Sequence, residues 1–248
     1  MSLPTIYGRD LELGQLRKLL SRGQSFLLHG PAGAGKTLLL KTLVAEFPDM
    51  LYCEESSSSQ VVFRRLATGL LAKKSRHVVQ ACGRGGEAII KEKSAVAIRG
   101  IVAESLGGAS YWIVLDHLNS PSQSFASSLR DVRNRTPSRL IAAARSAHME
   151  DVGAMLSLFS DRSERYALRN FNSGTAQAFA LRTAQAMQLD AANRDEVIEE
   201  IVRYSKGNPG AILAMLQMAA NPKYIAHEHV KLPPLYIDFR LRWGAPHG

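Results

Sequence analysis

Two cysteines, Cys53 and Cys82, are all that 248 residues carry, and they form no C-x-x-C pair. That excludes a disulfide framework and a cysteine zinc site, and it fits a reducing cytosol. Long apolar runs are missing as well: nowhere do eighteen uninterrupted apolar residues occur, so no membrane partner is expected. The opening MSLPTIYGRD has no basic stretch ahead of an apolar one, so no secretory leader is expected in it. Acid is in short supply, with 22 Asp and Glu against 31 Lys and Arg, a net charge of +9. No N-K-x-D run is present, which removes the usual guanine reader. The histidines of H-E-H, His227 and His229, have no further ligands near them in the chain and are read as surface residues.

What remains is a globular composition, 46% apolar and 21% charged, in a chain long enough for an α/β domain with a smaller companion. The basic excess is local. Arg64, Arg65, Lys73, Lys74, Arg76, Arg84, Lys91, Lys93 and Arg99 face only Glu87 and Glu92 across Ser57–Gly100. Such a surface suits nucleic acid or an acidic protein partner, and equally a solvated pair of helices.

The chain is organised around GPAGAGKT, comprising Gly30, Pro31, Ala32, Gly33, Ala34, Gly35, Lys36 and Thr37, with Leu38 next. It fits G-x-x-x-x-G-K-[ST], follows the apolar run Ser25–His29 and precedes the helical stretch LLLKTLVAEF. Glycines let successive N–H groups converge on a phosphate chain, and the helix start adds its positive dipole end. Lys36 is placed to reach the β/γ-phosphates and Thr37 to offer its hydroxyl to magnesium.

Further buried strands are expected at Met50–Glu55, Tyr111–Asp116, Arg139–Arg145 and Tyr166–Phe171, with helical stretches between them. Asp116, a carboxylate ending a buried strand, is the expected magnesium residue. Helices are expected over Gln60–Lys74, Glu87–Leu106 and Phe125–Arg133. From Ser173 the pattern turns wholly helical, over Thr175–Met187, Arg194–Ser205 and Pro209–Ala219, with Asn193 and Glu196 spaced as a capping box. The expected architecture is a three-layer α/β domain with a parallel doubly wound sheet over residues 1–172. A small all-helical lid over 173–221 and a tail without clear period over 222–248 follow it.

Taken in order, these pieces resemble the signal-transduction ATPases, the P-loop class that includes the NB-ARC proteins and is related to AAA+ ATPases. IYGRDLELGQLRKLL resembles their opening motif, GPAGAGKT their phosphate loop, WIVLD their magnesium strand, SRLIAAARSAH their sensor segment and GNPGAI their G-x-P motif. The resemblance implies ATP or ADP with magnesium as ligands. It also implies Arg145 reading the γ-phosphate, Pro209 against the base or sugar, and backbone at Tyr7, Gly8 and Arg9 over the adenine. His117 stands where such ATPases place a second acid, and Glu54 or Glu55, ending the neighbouring strand, are the candidate replacement base. Three functions follow as expectations: an ATP-dependent switch with slow hydrolysis, a homo-oligomeric AAA+ motor on nucleic acid completed by Arg162 or Arg165 of a neighbour, or a non-hydrolysing scaffold with a basic face.

Overall fold

A computed structural model describes residues 6–244. Residues 1–5 of the opening segment and Pro246 of the expected tail lie outside them. Contacts divide the chain into one unit of residues 12–30 and 36–167, and another made of the opening segment to Leu11, Pro31–Gly35 and the chain from Leu168 onward.

The first unit is built on five parallel strands, β1 (Phe26–His29), β2 (Met50–Cys53), β3 (Trp112–Leu115), β4 (Arg139–Ala144) and β5 (Arg165–Ala167), in the order β2-β3-β4-β1-β5. Side chains alternate across a strand, so each strand feeds two cores. Leu27, Leu51, Ile113, Leu115 and Ala142 join one cluster with α3 (Ser59–Ala72), α4 (Arg76–Cys82), α5 (Glu87–Glu92), α6 (Ala95–Gly107) and α7 (Gln123–Arg135). Leu28, Val114 and Ile141 are buried on the other parity, and α1 (Asp10–Ser21) and α2 (Lys36–Glu46) bury Leu13, Leu16, Leu20, Leu39, Leu40 and Leu43. The result is the three-layer α/β fold with a doubly wound parallel sheet.

Local chemistry explains where elements begin and end. The serine run before α3 is a cap: Ser58 accepts a hydrogen bond from the Val61 amide. The single helix expected over 87–106 is two, because Lys93 is extended and Ser94 caps a fresh start by accepting from Ala97. α4 lies between the helices expected over 60–74 and 87–106, where no element was expected. The strands stop before their terminal charges, at Cys53, Leu115 and Ala144, which leaves Glu54, Asp116 and Arg145 at one edge of the sheet. The fifth strand is shorter than expected, ending at Ala167, and a four-residue helix α8 (Met149–Val152) follows β4.

The second unit packs α9 (Ser173–Ala186), α10 (Arg194–Ser205) and α11 (Pro209–Ala219) around Ala180, Ile198, Ile201, Ile212, Met215 and Leu216. The stretch after Asn221, read as lacking a period, is ordered. It forms a short hairpin of β6 (Ile225–Ala226) and β7 (His229–Val230), then α12 (Leu232–Trp243), whose Leu235 and Phe239 enter the same core. Proline at the first turn of α12 fits because an amide there has no helical partner to lose.

Asn193 departs from its expected role. Its side chain caps nothing; it accepts from the Val230 amide at 2.9 Å and donates to the Val230 carbonyl at 3.1 Å, tying β7 to the start of α10. Replacing a half-buried amide that makes two such bonds costs about 1–2 kcal/mol. Asn193→Ala is expected to lower the urea midpoint by that equivalent, whereas Asn193→Asp, which keeps the acceptor, should lose less; equal midpoints for wild type and alanine variant would refute the tie.

Candidate functional site

In the first unit, β1 runs into Gly30, whose amide donates to the Ala144 carbonyl at the end of β4. Lys36 opens α2 and turns back, its ammonium donating to the Gly30 carbonyl at 2.6 Å. Burial lowers the pKa of this lysine to about 8; Asp116 opposes the shift and Arg145 reinforces it. Desolvation therefore outweighs the anionic compensation the protein supplies, which is the condition under which a bound anion is most strongly favoured. His29, half-buried at the end of β1, has its pKa depressed by burial first and then by Arg165, His148 and Lys36.

Thr37, Asp116 and His117 converge. Asp116 is 1% exposed, and both of its oxygens are engaged: Oδ2 accepts from the Tyr52 hydroxyl at 2.8 Å and Oδ1 from the His117 amide at 2.8 Å. Burial and Asp116 push the Tyr52 phenol far above its usual pKa, so it stays a donor. His117 has a left-handed backbone, φ 54°, and its Nε2 stands 3.4 Å from Thr37 Oγ1 and 3.7 Å from Asp116 Oδ2. Glu54 is ion-paired with Lys41 at 3.0 Å, which holds its carboxyl below the usual range, and Glu55 accepts from Ser57. Arg145 is exposed. Cys53 is fully buried, and desolvation pushes its thiol up to about 12, leaving it inert.

The second unit contains the glycine loop itself, Pro31–Gly35. Gly33 and Gly35 have φ of 79° and 100°, a backbone that side chains resist, and a Cβ on Gly33 would lie 2.4 Å from Asn208 Oδ1. Asn208 holds this loop. Its amide donates to the Ala32 carbonyl at 2.8 Å while its Oδ1 caps α11 by accepting from Ala211 at 3.0 Å; beside it, the Gly210 amide donates to the Gly33 carbonyl at 3.0 Å. Pro209 occupies the first turn of α11, half-buried.

The Arg9 side chain is buried and makes contacts of its own. The guanidinium lies 4.4 Å from the Phe171 ring and donates to the Ala34 and Arg169 carbonyls, both at 2.8 Å. Tyr7 and Gly8 line a cleft of about 530 Å³ with Ile6, Asp10, Thr175 and Arg182, whose guanidinium sits 5.3 Å from the Tyr7 ring. Sequence reasoning missed Tyr52, Asn208 and Arg182. Asn208 lies inside the quoted GNPGAI motif, and an Asn before a helix-starting proline is a cap signal that could have found it.

The expected basic face is spread over α3 to α6. Arg65, Lys73, Lys74, Arg76, Lys91 and Arg99 are exposed, while Arg64 is half-buried and donates to the Lys91 carbonyl. Arg165 is committed internally, donating from Nε to the Phe159 carbonyl at 2.9 Å, and Arg162 is exposed. Among the described residues no helix is long and apolar enough to cross a membrane.

Comparison with protein families matches residues 5–205 to the AAA ATPase domain, so the chain belongs to that family of nucleotide-binding P-loop ATPases. It is similar in fold to the Orc1 protein of Aeropyrum pernix solved in complex with DNA, with a TM-score of 0.66 and 16% identity over 97% of this chain and 66% of that one. It is also similar to Cdc6p of Pyrobaculum aerophilum, TM-score 0.59 and 14% identity over 88% and 63%. Domain III of the Thermotoga maritima replication initiation protein DnaA matches at TM-score 0.52 and 13% identity, over 95% and 93%. The chain thus spans about two thirds of the length of the first two of these structures. No curated protein sequence matches it.

Asn208→Ala removes a helix cap and the loop bond together and is expected to cost about 2 kcal/mol. Asn208→Ser can keep the cap but cannot reach Ala32 in the same way, so it should recover only part of the loss. Urea melts of nucleotide-free protein read the difference, and full recovery by serine would mean that the loop bond contributes nothing.

Proposed function

We propose that this AAA ATPase-family chain is an ATP-binding switch of signal-transduction type with slow magnesium-dependent hydrolysis. The observation that carries the reading is the glycine loop itself, left-handed at Gly33 and Gly35 and leading straight into Lys36 at the head of α2. A polyphosphate meets the amides that such a loop turns inward, and the start of α2 adds its dipole.

Thr37 Oγ1 and the Asp116 carboxylate fit a divalent cation, being hard oxygen donors near the same lysine. When bound, the ion neutralises charge on the β- and γ-phosphates. Tyr52 and the His117 amide orient Asp116, Arg145 is assigned to the γ-phosphate, and the Tyr7 and Gly8 cleft together with Pro209 is assigned to the base and sugar. His117 supplies no carboxylate in the second-acid position and Glu54 is drawn off by Lys41, which argues for slow turnover.

The switch has an in-unit route. Loop Pro31–Gly35 is bonded to Asn208 and Gly210 at the head of α11, so a phosphate gripped by the loop is felt by that helix directly. One charge-assisted contact made with ATP and not ADP is worth roughly 1.5–3 kcal/mol, at least a tenfold shift between two states. The exposed cations of α3 to α6 are the proposed partner surface, for nucleic acid or an acidic protein. A homo-oligomeric motor is the second reading, favoured by exposed Arg162; Arg165 suits it less because its side chain is already committed.

Melting with magnesium and ATP, ADP or a non-hydrolysable analogue, followed by phosphate release, tests the reading. Ligand at 100 times its dissociation constant adds about 2.7 kcal/mol, a rise of a few degrees. Lys36→Met should abolish the shift, and a wild-type sample free of nucleotide that shows none with any of the three ligands would sink the proposal. On the oligomer, Arg162→Ala is expected to leave turnover within a few-fold; a loss of about 10³ would favour the motor instead.

A further inference from the structure

Among the described residues no group of three His, Cys, Asp or Glu stands ready for a metal. A nitrogen does stand beside the two oxygen donors of the proposed cation site. His117 Nε2 lies 3.4 Å from Thr37 Oγ1 and 3.7 Å from Asp116 Oδ2. Two donors about 2.1 Å from one ion stand about 3.0 Å apart at a right angle and about 3.4 Å apart at the tetrahedral angle. Each of the two separations from His117 Nε2 is therefore within about 0.3 Å of what a shared ion requires.

Several features keep the imidazole there. The backbone of His117 is left-handed, a conformation uncommon outside glycine, and its own amide is bonded to the Asp116 carboxylate. Asp116 in turn is fixed by Tyr52, so the oxygen donor and the nitrogen donor are positioned as a pair. The His117 side chain is 65% exposed and is not packed into the core. A carboxylate at this position would offer the ion only oxygen, as magnesium prefers, whereas an imidazole suits later first-row divalent metals.

We infer that His117 Nε2 is a direct ligand of the nucleotide-associated cation, giving this site a preference for cobalt-class divalent ions over magnesium that an all-oxygen site lacks. The inference rests on the nucleotide-binding reading above, and its test separates the two.

The probe is manganese with a non-hydrolysable ATP analogue on the full chain, examined by pulsed electron paramagnetic resonance for nitrogen coupling to the ion. His117→Asn is the comparison, since asparagine tolerates the left-handed backbone and presents no imidazole. Wild type should show an imidazole coupling that the variant lacks. The ratio of analogue affinities with cobalt and with magnesium should also fall about tenfold in the variant. Analogue bound with manganese but with identical spectra in both proteins, or an unchanged cobalt-to-magnesium ratio, overturns the inference and leaves nucleotide binding intact. Failure of wild type to bind the analogue with any of the three ions overturns both.

Discussion

An ammonium withdrawn from water loses hydration that its surroundings must make good, and Lys36 is buried enough for its pKa to fall to about 8. Its bond to Gly30 satisfies a donor but supplies no charge, and Asp116 offsets only part of the desolvation. The cost is borne by the rest of the fold. Five parallel strands and their two apolar faces bury enough surface to hold a desolvated lysine and a buried aspartate where the strands end.

The loop preceding that lysine needs its own support, because left-handed glycines do not hold a shape unaided. Asn208 provides it from the second unit by using both ends of one amide, the nitrogen on Ala32 and the oxygen on Ala211. Arg9 secures the other end through Ala34 while its guanidinium lies against Phe171. A side chain that caps a helix and holds a phosphate loop with the same group cannot satisfy one role without fixing the other. That is a physical basis for linking loop occupancy to the placement of α11, and it requires no contact beyond those within the unit.

Much of this was legible before any coordinates. The phosphate loop is a spacing with a mechanism, and the central strands are short apolar runs that only a buried sheet accommodates, so Asp116 and Arg145 could be assigned to strand ends. The partners of those residues were not legible, because they depend on register. Tyr52 meets Asp116 because β2 pairs with β3 with Tyr52 beside Val114, and two residues further along Asp116 returns to the same face. The stretch after Asn221 was obscured for a different reason. Pro233 and Pro234 look like breakers until they are placed in a first turn, and only Leu235 and Phe239 of α12 carry its buried stripe while Ile237 and Leu241 stay exposed. Asn193 misled by type: the residue favours caps, yet a nearby strand took both of its hydrogen-bonding groups.

Binding and turnover draw on different residues in this chain, and the two sets are unequally equipped. Of the groups proposed to hold phosphate and its cation, Lys36, Thr37 and Asp116 each meet a neighbour, Gly30, His117 and Tyr52. The groups that would activate water are not so well placed. On the proposed reading His117 stands where a second acid is expected, and Glu54, just after the neighbouring strand, has its basicity reduced by Lys41. A site strong in the first set and weak in the second holds its ligand for longer than it takes to respond to it, and long occupancy is what a switch needs and a motor does not. The same imbalance gives His117 a use that the second acid would not have had: a donor atom at the cation, where an imidazole changes which ion fits best.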